Sequence, residues 1–224
     1  MSKFDPIRPF YDNEVNQALN EYAQHPMMKA IMNFTFPERS EAEWEKVFSA
    51  IHSIRDFQTK IIYDAVLRVL ELSSDGLSTS GFENLKPNTS YLFISNHRDI
   101  ILDTSLLNAT LFENNLVMTT SAIGDNLVKK PFLKALSRLT RNFVVFRGLS
   151  PKAMFENSKL NSEYIRKAIL TENRSVWIAQ REGRTKDGMD LTQKGMLKML
   201  ALASEDTPLK EYFQQLKIVP VSIS

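Results

Sequence analysis

Apolar positions in the first 72 residues recur at helical steps. Trp44, Val47, Phe48, Ile51, Ile54, Ile61, Ile62, Ala65 and Val69 are mostly three or four residues apart, which places them on one helical stripe. Ser40 with Glu43 three residues later has the capping-box spacing, in which the two side chains satisfy free backbone donors at a helix start. The pattern predicts a helix over residues 40–72. A weaker helical stretch over 13–23 is interrupted at His25-Pro26, because proline disfavours helical backbone in the residue before it. Met27, Met28, Ile31, Met32, Phe34 and Phe36 gather after that break. Packing between helices is the favoured reading of this patch, and contact with lipid or acyl chains is the other.

Beyond residue 75 the period changes. Residues 91–95, 116–120, 143–146, 175–179 and 218–223 read as strands. Helical runs lie between them at about 103–112, 127–139, from Ser150-Pro151 onward, and 192–203, with Ser150 as N-cap and Pro151 in the first turn. This alternation predicts an α/β fold over residues 75–224, with a mostly parallel central sheet flanked by helices. Residues 1–74 form an N-terminal helical extension to it. The last strand is expected inside the sheet, with no covering helix after it, so the chain reads as a fragment. In folds of this class, chemistry gathers in loops at the carboxyl ends of strands.

Composition narrows the possibilities. The 224 residues include 28 Lys+Arg, 26 Asp+Glu, 3 His and no Cys, for a net charge of +2. Without cysteine there is no disulfide scaffold, cysteine nucleophile or thiolate metal site. The start of the chain lacks the apolar core of a signal peptide, and no apolar run approaches the roughly 20 residues that span a bilayer. Charge is uneven: residues 125–200 hold 16 Lys+Arg against 7 Asp+Glu, and the remainder holds 12 against 19. A basic segment of this kind is either a set of solvated helix faces or the footprint of an anionic partner.

Candidate chemistry lies in three predicted strand-end loops. In the first, His97 has carboxylates two and six residues on, Asp99 and Asp103, either of which could orient it as a general base. His25 precedes a proline in a bend and reads as structural, and His52 reads as solvated on a polar helix face. The second loop places Arg147-Gly148 after residues 143–146, and the third is the run 181–188 containing Arg181, Glu182, Gly183 and Arg184. Glycine permits close backbone approach, and arginine holds phosphate oxygens in a bidentate fork. His97-Arg98-Asp99 is not a kinase catalytic loop, since Thr104 stands where the asparagine should be. No phosphate-binding glycine loop, serine-hydrolase elbow, metal-ligand spacing or nucleic-acid motif is present.

The order of these motifs resembles the glycerolipid acyltransferase family, the lysophosphatidic acid and glycerol-3-phosphate acyltransferases. Asn96-His97 and Asp103 are similar to its first block, with five residues between His and Asp where the family has four. Residues 125–134 resemble the lead-in to the second block, Phe146-Arg147 the second, Glu182-Gly183-Arg184 the third and Val219-Pro220-Val221 the fourth. In the third block Gln180-Arg181 replaces the family's Phe-Pro, and Arg184-Thr185 reverses its Thr-Arg order. The resemblance covers about residues 77–223. It implies transfer of a fatty acyl group from acyl-coenzyme A or acyl-carrier protein to a hydroxyl of a lysophospholipid or glycerol phosphate. It assigns His97 as general base with Asp103 as the preferred partner and Asp99 as its competitor. Asn96, Arg147, Glu182, Gly183 and Arg184 become acceptor-binding residues. No cofactor or metal is implied, and the protein would sit peripherally on the cytoplasmic face of a membrane. The altered third block also leaves room for a non-phosphoglycerol acceptor such as an amino-acid lipid. A non-catalytic module that binds anionic lipid would use the same basic face.

Overall fold

The computed structural model describes residues 2–186 and 188–224; Met1 and Asp187, the latter within the basic run 181–188, lie outside the described residues. The chain forms two compact units. One comprises Pro9–Ser80 and Val128–Asn142; the other comprises the first residues to Arg8, Gly81–Leu127 and Phe143–Ser224. The units therefore do not follow a single cut near residue 74, because a segment from the strand-rich half joins the helical unit.

The helical unit contains α1 (Asp12–Tyr22), α2 (Pro26–Thr35), α3 (Glu41–Ser49), α4 (Ile54–Phe57) and α5 (Tyr63–Ser73). The single helix expected over 40–72 is thus divided. It starts as its capping spacing predicts, with the Glu43 carboxylate accepting from both the N–H and the hydroxyl of Ser40 at 2.8 Å. It breaks at residues 50–53 because Ser53 caps a new helix, its Oγ accepting from Asp56 N at 3.0 Å. Asp12 also takes the Ile54 N–H at 2.9 Å, which anchors that new start to α1. A wider π turn at Gln58–Ile62 then joins α4 to α5. His52 consequently lies in the break and not on a helix face. His25 caps α2 by accepting from Met27 N at 3.2 Å, and its ring stacks on Phe132 at 4.0 Å. Met28, Met32 and Phe36 are fully or nearly fully buried among Trp44, Phe48 and Phe57, whereas Met27 and Phe34 are exposed. Helix packing claims most of that patch.

In the other unit, β1 (Leu92–Ser95), β2 (Thr119–Gly124), β3 (Asn142–Val145), β4 (Ser175–Ala179) and β5 (Ile218–Val221) form one sheet, ordered β3-β2-β4-β1-β5. β4 runs parallel to β2 and β1, and β1 parallel to β5. Parallel neighbours need crossovers, and helices provide them. These are α6 (Leu102–Glu113), α7 (Pro131–Leu139, in the helical unit), α8 (Pro151–Leu170), α9 (Lys194–Ala201) and α10 (Leu209–Leu216). Side chains alternate across the sheet, as a two-residue period requires. Leu92, Val176 and Ile178 pack with Tyr164, Ile165, Leu200, Tyr212 and Leu216 of α8–α10. Phe93 and Trp177 pack instead with Leu107 and Leu111 of α6 and with Met118. The α/β class with a parallel sheet is as expected.

Four details differ from the pattern reading. The strand expected over 116–120 starts three residues later, at Thr119, and the helix expected from 127 starts at Pro131 after a short turn. α10 was not anticipated, although Leu209, Tyr212, Phe213 and Leu216 have helical spacing. The last strand is not interior: β5 lies at an edge, where Pro220 has no N–H to leave unpaired.

Two contacts fix α6, the helix that carries Asp103. Asp99 Oδ1 accepts from the N–H groups of Ile101 and Leu102, both at 2.8 Å, closing the turn into the helix. Further along, buried Asn108 accepts from Thr119 N at 2.7 Å and donates to Thr119 Oγ1 at 2.9 Å, pinning α6 to β2. Replacing Asn108 by Leu strips the buried Thr119 N–H of its acceptor. We expect a loss of about 1–3 kcal/mol in denaturant titration. The hydrogen bond from Leu102, then that from Ile101 and the charges of Arg184 and His97, outweigh burial and lower the Asp99 carboxyl below its ordinary value. A lowered carboxylate stabilises the fold above its unfolded pKa, and that stabilisation is lost as pH falls through the folded value. Asp99→Ala is therefore expected to cost about 1 kcal/mol at neutral pH. The gap from the parent protein should close on acidification, as read by denaturation at several pH values.

Candidate active site

All three predicted loops belong to the strand-rich unit and leave the carboxyl ends of parallel strands. The loop after β1 carries His97, whose Nδ1 lies 2.7 Å from Asp103 Oδ2. The same oxygen accepts from Arg98 N at 2.8 Å, and Asp103 Oδ1 accepts from Asp99 N at 3.0 Å. Asp103 is 3% exposed at its side chain and His97 is 16% exposed. Each carboxylate oxygen therefore has a backbone N–H donor. A carboxylate can only accept, so Nδ1 carries the imidazole proton and Nε2 keeps its lone pair. Asp103 is thus the His97 partner in this structure, and Asp99 is the cap described above. The ring of Trp177, on β4, meets the His97 ring edge-on at 5.6 Å. Trp177 Nε1 donates to Ser95 Oγ at 2.9 Å, and that hydroxyl donates to the Asn96 carbonyl at 2.6 Å. The backbone entering the histidine is therefore tied to the sheet.

Asn96 is buried, and its amide is engaged with the end of the chain. Its Oδ1 accepts from Ile223 N and its Nδ2 donates to Ile223 O, both at 2.7 Å. This two-way pair continues the β1–β5 ladder by one side chain and leaves the amide turned toward protein. Arg98 Nη2 donates to Asp190 Oδ2 at 2.6 Å, and its Nε reaches Ile223 O at 3.3 Å.

On the other side of β4, the loops after β2 and β3 meet. Asp125 accepts from Arg147 N at 3.1 Å, and the Arg147 guanidinium lies 3.4 Å from Glu182 of the loop after β4. Gly124, at the end of β2, makes room for that guanidinium. A Cβ there would fall 2.9 Å from Arg147 Nε and 2.5 Å from Asn126 Oδ1. Gly183 turns the following loop with a φ of +74°, a left-handed conformation that strains any residue with a Cβ. Arg184 is exposed, and its charge acts on Asp99. Arg181 folds back to donate to Met189 O at 3.0 Å, closing its own loop.

β4 sits between β2 and β1, so its loop reaches both neighbours. On one side is the Arg147–Glu182 pair. On the other, Thr185 N donates to His97 O at 2.8 Å, and Thr185 Oγ1 donates to Asp190 Oδ1 at 2.8 Å. The structure thus brings His97, Asp103, Arg147, Glu182, Gly183 and Arg184 into one group of adjoining loops, and it turns Asn96 inward. Sequence reasoning missed Asp190, Gly124, Asp125 and Trp177 as members of this group. Asp190 lies 93 residues from His97 with no motif around it, whereas Gly124-Asp125 at a strand end had the character of the other two loops. Among the described residues no group of His, Asp and Glu could hold a metal ion, and no helix is long and apolar enough to cross a membrane.

A histidine held by a carboxylate in this way can act as a general base, and arginines on adjoining loops can hold an anionic group. The fold shares a TM-score of 0.46 and 13% identity with the crystal structure of the 1-acyl-sn-glycerophosphate (LPA) acyltransferase, PlsC, from Thermotoga maritima. That match covers 84% of this chain and 67% of the other. No curated protein matches the sequence. The family model described as Acyltransferase matches residues 77–224, about two thirds of the chain, and this span holds every loop of the site. The chain belongs to the acyltransferase family.

Proposed function

We propose that this acyltransferase moves a fatty acyl group from an acyl thioester, acyl-coenzyme A or acyl-carrier protein, to a hydroxyl of a lysophospholipid or glycerol-phosphate acceptor. The observation that carries the reading is the buried Asp103 carboxylate holding His97 Nδ1 at 2.7 Å, which leaves Nε2 free to take a proton. As the acceptor oxygen attacks the thioester carbonyl, His97 Nε2 removes the hydroxyl proton. Asp103 stabilises the imidazolium that forms. The new C–O ester bond forms, the C–S bond breaks, and the imidazolium returns its proton to the departing thiolate. No acyl-enzyme is needed, and holding both reactants in place supplies a large part of the rate.

Arg147 and Arg184 would meet the acceptor's phosphate, with Glu182 keeping the Arg147 guanidinium in place and accepting from a glycerol hydroxyl. The geometry that supports this is the Arg147–Glu182 pair at 3.4 Å and the space that Gly124 leaves for it. Exposed Ile100, Ile101, Met189 and Leu191, on the same loops as His97 and Asp190, support seating at a membrane surface where acyl chains arrive. The basic charge of residues 125–200 suits an anionic, cytoplasmic leaflet. No resident cofactor enters this scheme.

His97→Ala is expected to abolish transfer in an assay of acyl-coenzyme A and acyl-carrier donors against a panel of lysolipids. Asp103→Asn should lower kcat by a factor on the order of 10²–10⁴, while Asp99→Asn keeps most turnover. Full activity in His97→Ala refutes the mechanism. Gly124→Ala pushes the Arg147 guanidinium aside, so the KM for a phosphate-bearing acceptor should rise while the KM for the thioester stays. A non-phosphoglycerol acceptor would show no such rise.

A further inference from the structure

We infer that Asp190 is a positioning residue for His97, acting through Arg98 and Thr185; this rests on the acyl-transfer reading of the site. The side chains on both sides of His97 end on one carboxylate oxygen. Arg98 Nη2 donates to Asp190 Oδ2 at 2.6 Å, and Asn96 Nδ2 reaches the same atom at 3.4 Å. The other oxygen accepts from Thr185 Oγ1 at 2.8 Å, and Thr185 N in turn donates to the carbonyl of His97 itself at 2.8 Å. Three threads from residues 96, 97 and 98 therefore meet at Asp190. A fourth bond continues them to the base: the N–H of Arg98 donates to Asp103 Oδ2, the oxygen that holds His97 Nδ1.

The energetics favour positioning over bulk stability. The Arg98 and Asp190 side chains are 36% and 29% exposed. An ion pair this open to water contributes only about 0–1 kcal/mol to folding. Its consequence lies in where it is. The described residues of 181–193 form no helix or strand, so hydrogen bonds such as those to Asp190 shape the path of that loop. The same loop presents Glu182 and Arg184. Asp190 thereby fixes the distance between the base and the groups that would seat the acceptor, which sets how far the acceptor hydroxyl lies from His97 Nε2. Displacing reacting groups by about 1 Å is enough to cost roughly 100-fold in rate.

The test uses the full chain with Asp190→Ala, Asp190→Asn, Arg98→Ala and the double alanine variant. Asp190→Ala should lower kcat by about 10- to 100-fold with the KM for acyl-coenzyme A unchanged and with a cooperative melt retained. Asp190→Asn keeps an acceptor for Thr185 and should recover part of the rate. The double variant should lose no more than the single ones, because the two residues act as one unit. Full turnover in Asp190→Ala, with His97→Ala inactive, overturns this inference alone. Turnover surviving in His97→Ala overturns the acyl-transfer reading instead. A second measurement needs no substrate. With 3 His in the chain, the ring N–H correlation of His97 in a ¹H–¹⁵N spectrum is assigned by its absence from His97→Ala. That signal should be present in the parent protein and lost to solvent exchange in Asp190→Ala. Its persistence in folded Asp190→Ala, or its absence from the parent, overturns the inference.

Discussion

A charge buried to 3% exposure is the constraint around which the strand-rich unit is organised. The Asp103 carboxylate lies at the start of α6, away from water, and so must be met by donors on both oxygens. The chain meets it locally: it bends between residues 97 and 103 so that two backbone N–H groups and one imidazole N–H point inward. That bend fixes the imidazole tautomer and closes the entry to the helix. It also turns the peptide of Arg98 so that its side chain leaves toward Asp190. The reactive geometry and the local fold are solutions to the same electrostatic problem.

Sheet order determines what else can reach this carboxylate. With β4 lying between β2 and β1, one irregular loop is long enough to touch the Arg147 side and the His97 side at once. Trp177, one strand over, supplies an apolar edge to the imidazole and a hydrogen bond to the strand beneath it. The sheet therefore acts as a ruler. Residues separated by as many as 127 positions in the chain acquire fixed spacings because their strands are hydrogen-bonded neighbours.

Much of this was legible in the residues and some was not, for physical reasons. Alternation of strand-like and helical periods exposed the α/β class because buried strands and amphipathic helices carry different spacings. The placing of His97, Arg147 and Glu182 in strand-end loops was legible because the change from strand period to helix period marks where those loops begin. Which aspartate faces His97 was not legible from spacing, since Asp99 and Asp103 both lie within reach of a flexible turn. The competing use of Asp99 as a helix-entry cap separates them, and that is visible only once Ile101 and Leu102 present their N–H groups. Asn96 shows the reverse. It sits beside the histidine in sequence, yet its amide serves the backbone of Ile223. The break in the helix over 40–72 was hidden because Asp12, far away in sequence, takes the N–H that starts α4.

The interleaving of the two units has a consequence for synthesis on the ribosome. α1–α5 emerge first, but their core is completed by Phe132 and Leu139 of α7. The apolar faces of those helices must wait until residue 142 has left the exit tunnel. At roughly 5–20 residues per second, the interval after residue 80 is about 3–12 s. Phe4 and Ile7 wait longer still, since Tyr164, Ile165 and Leu216 of their cluster are made later. Neither unit can be finished by the time its first residues appear, so the nascent chain carries unsatisfied apolar surface for most of its translation.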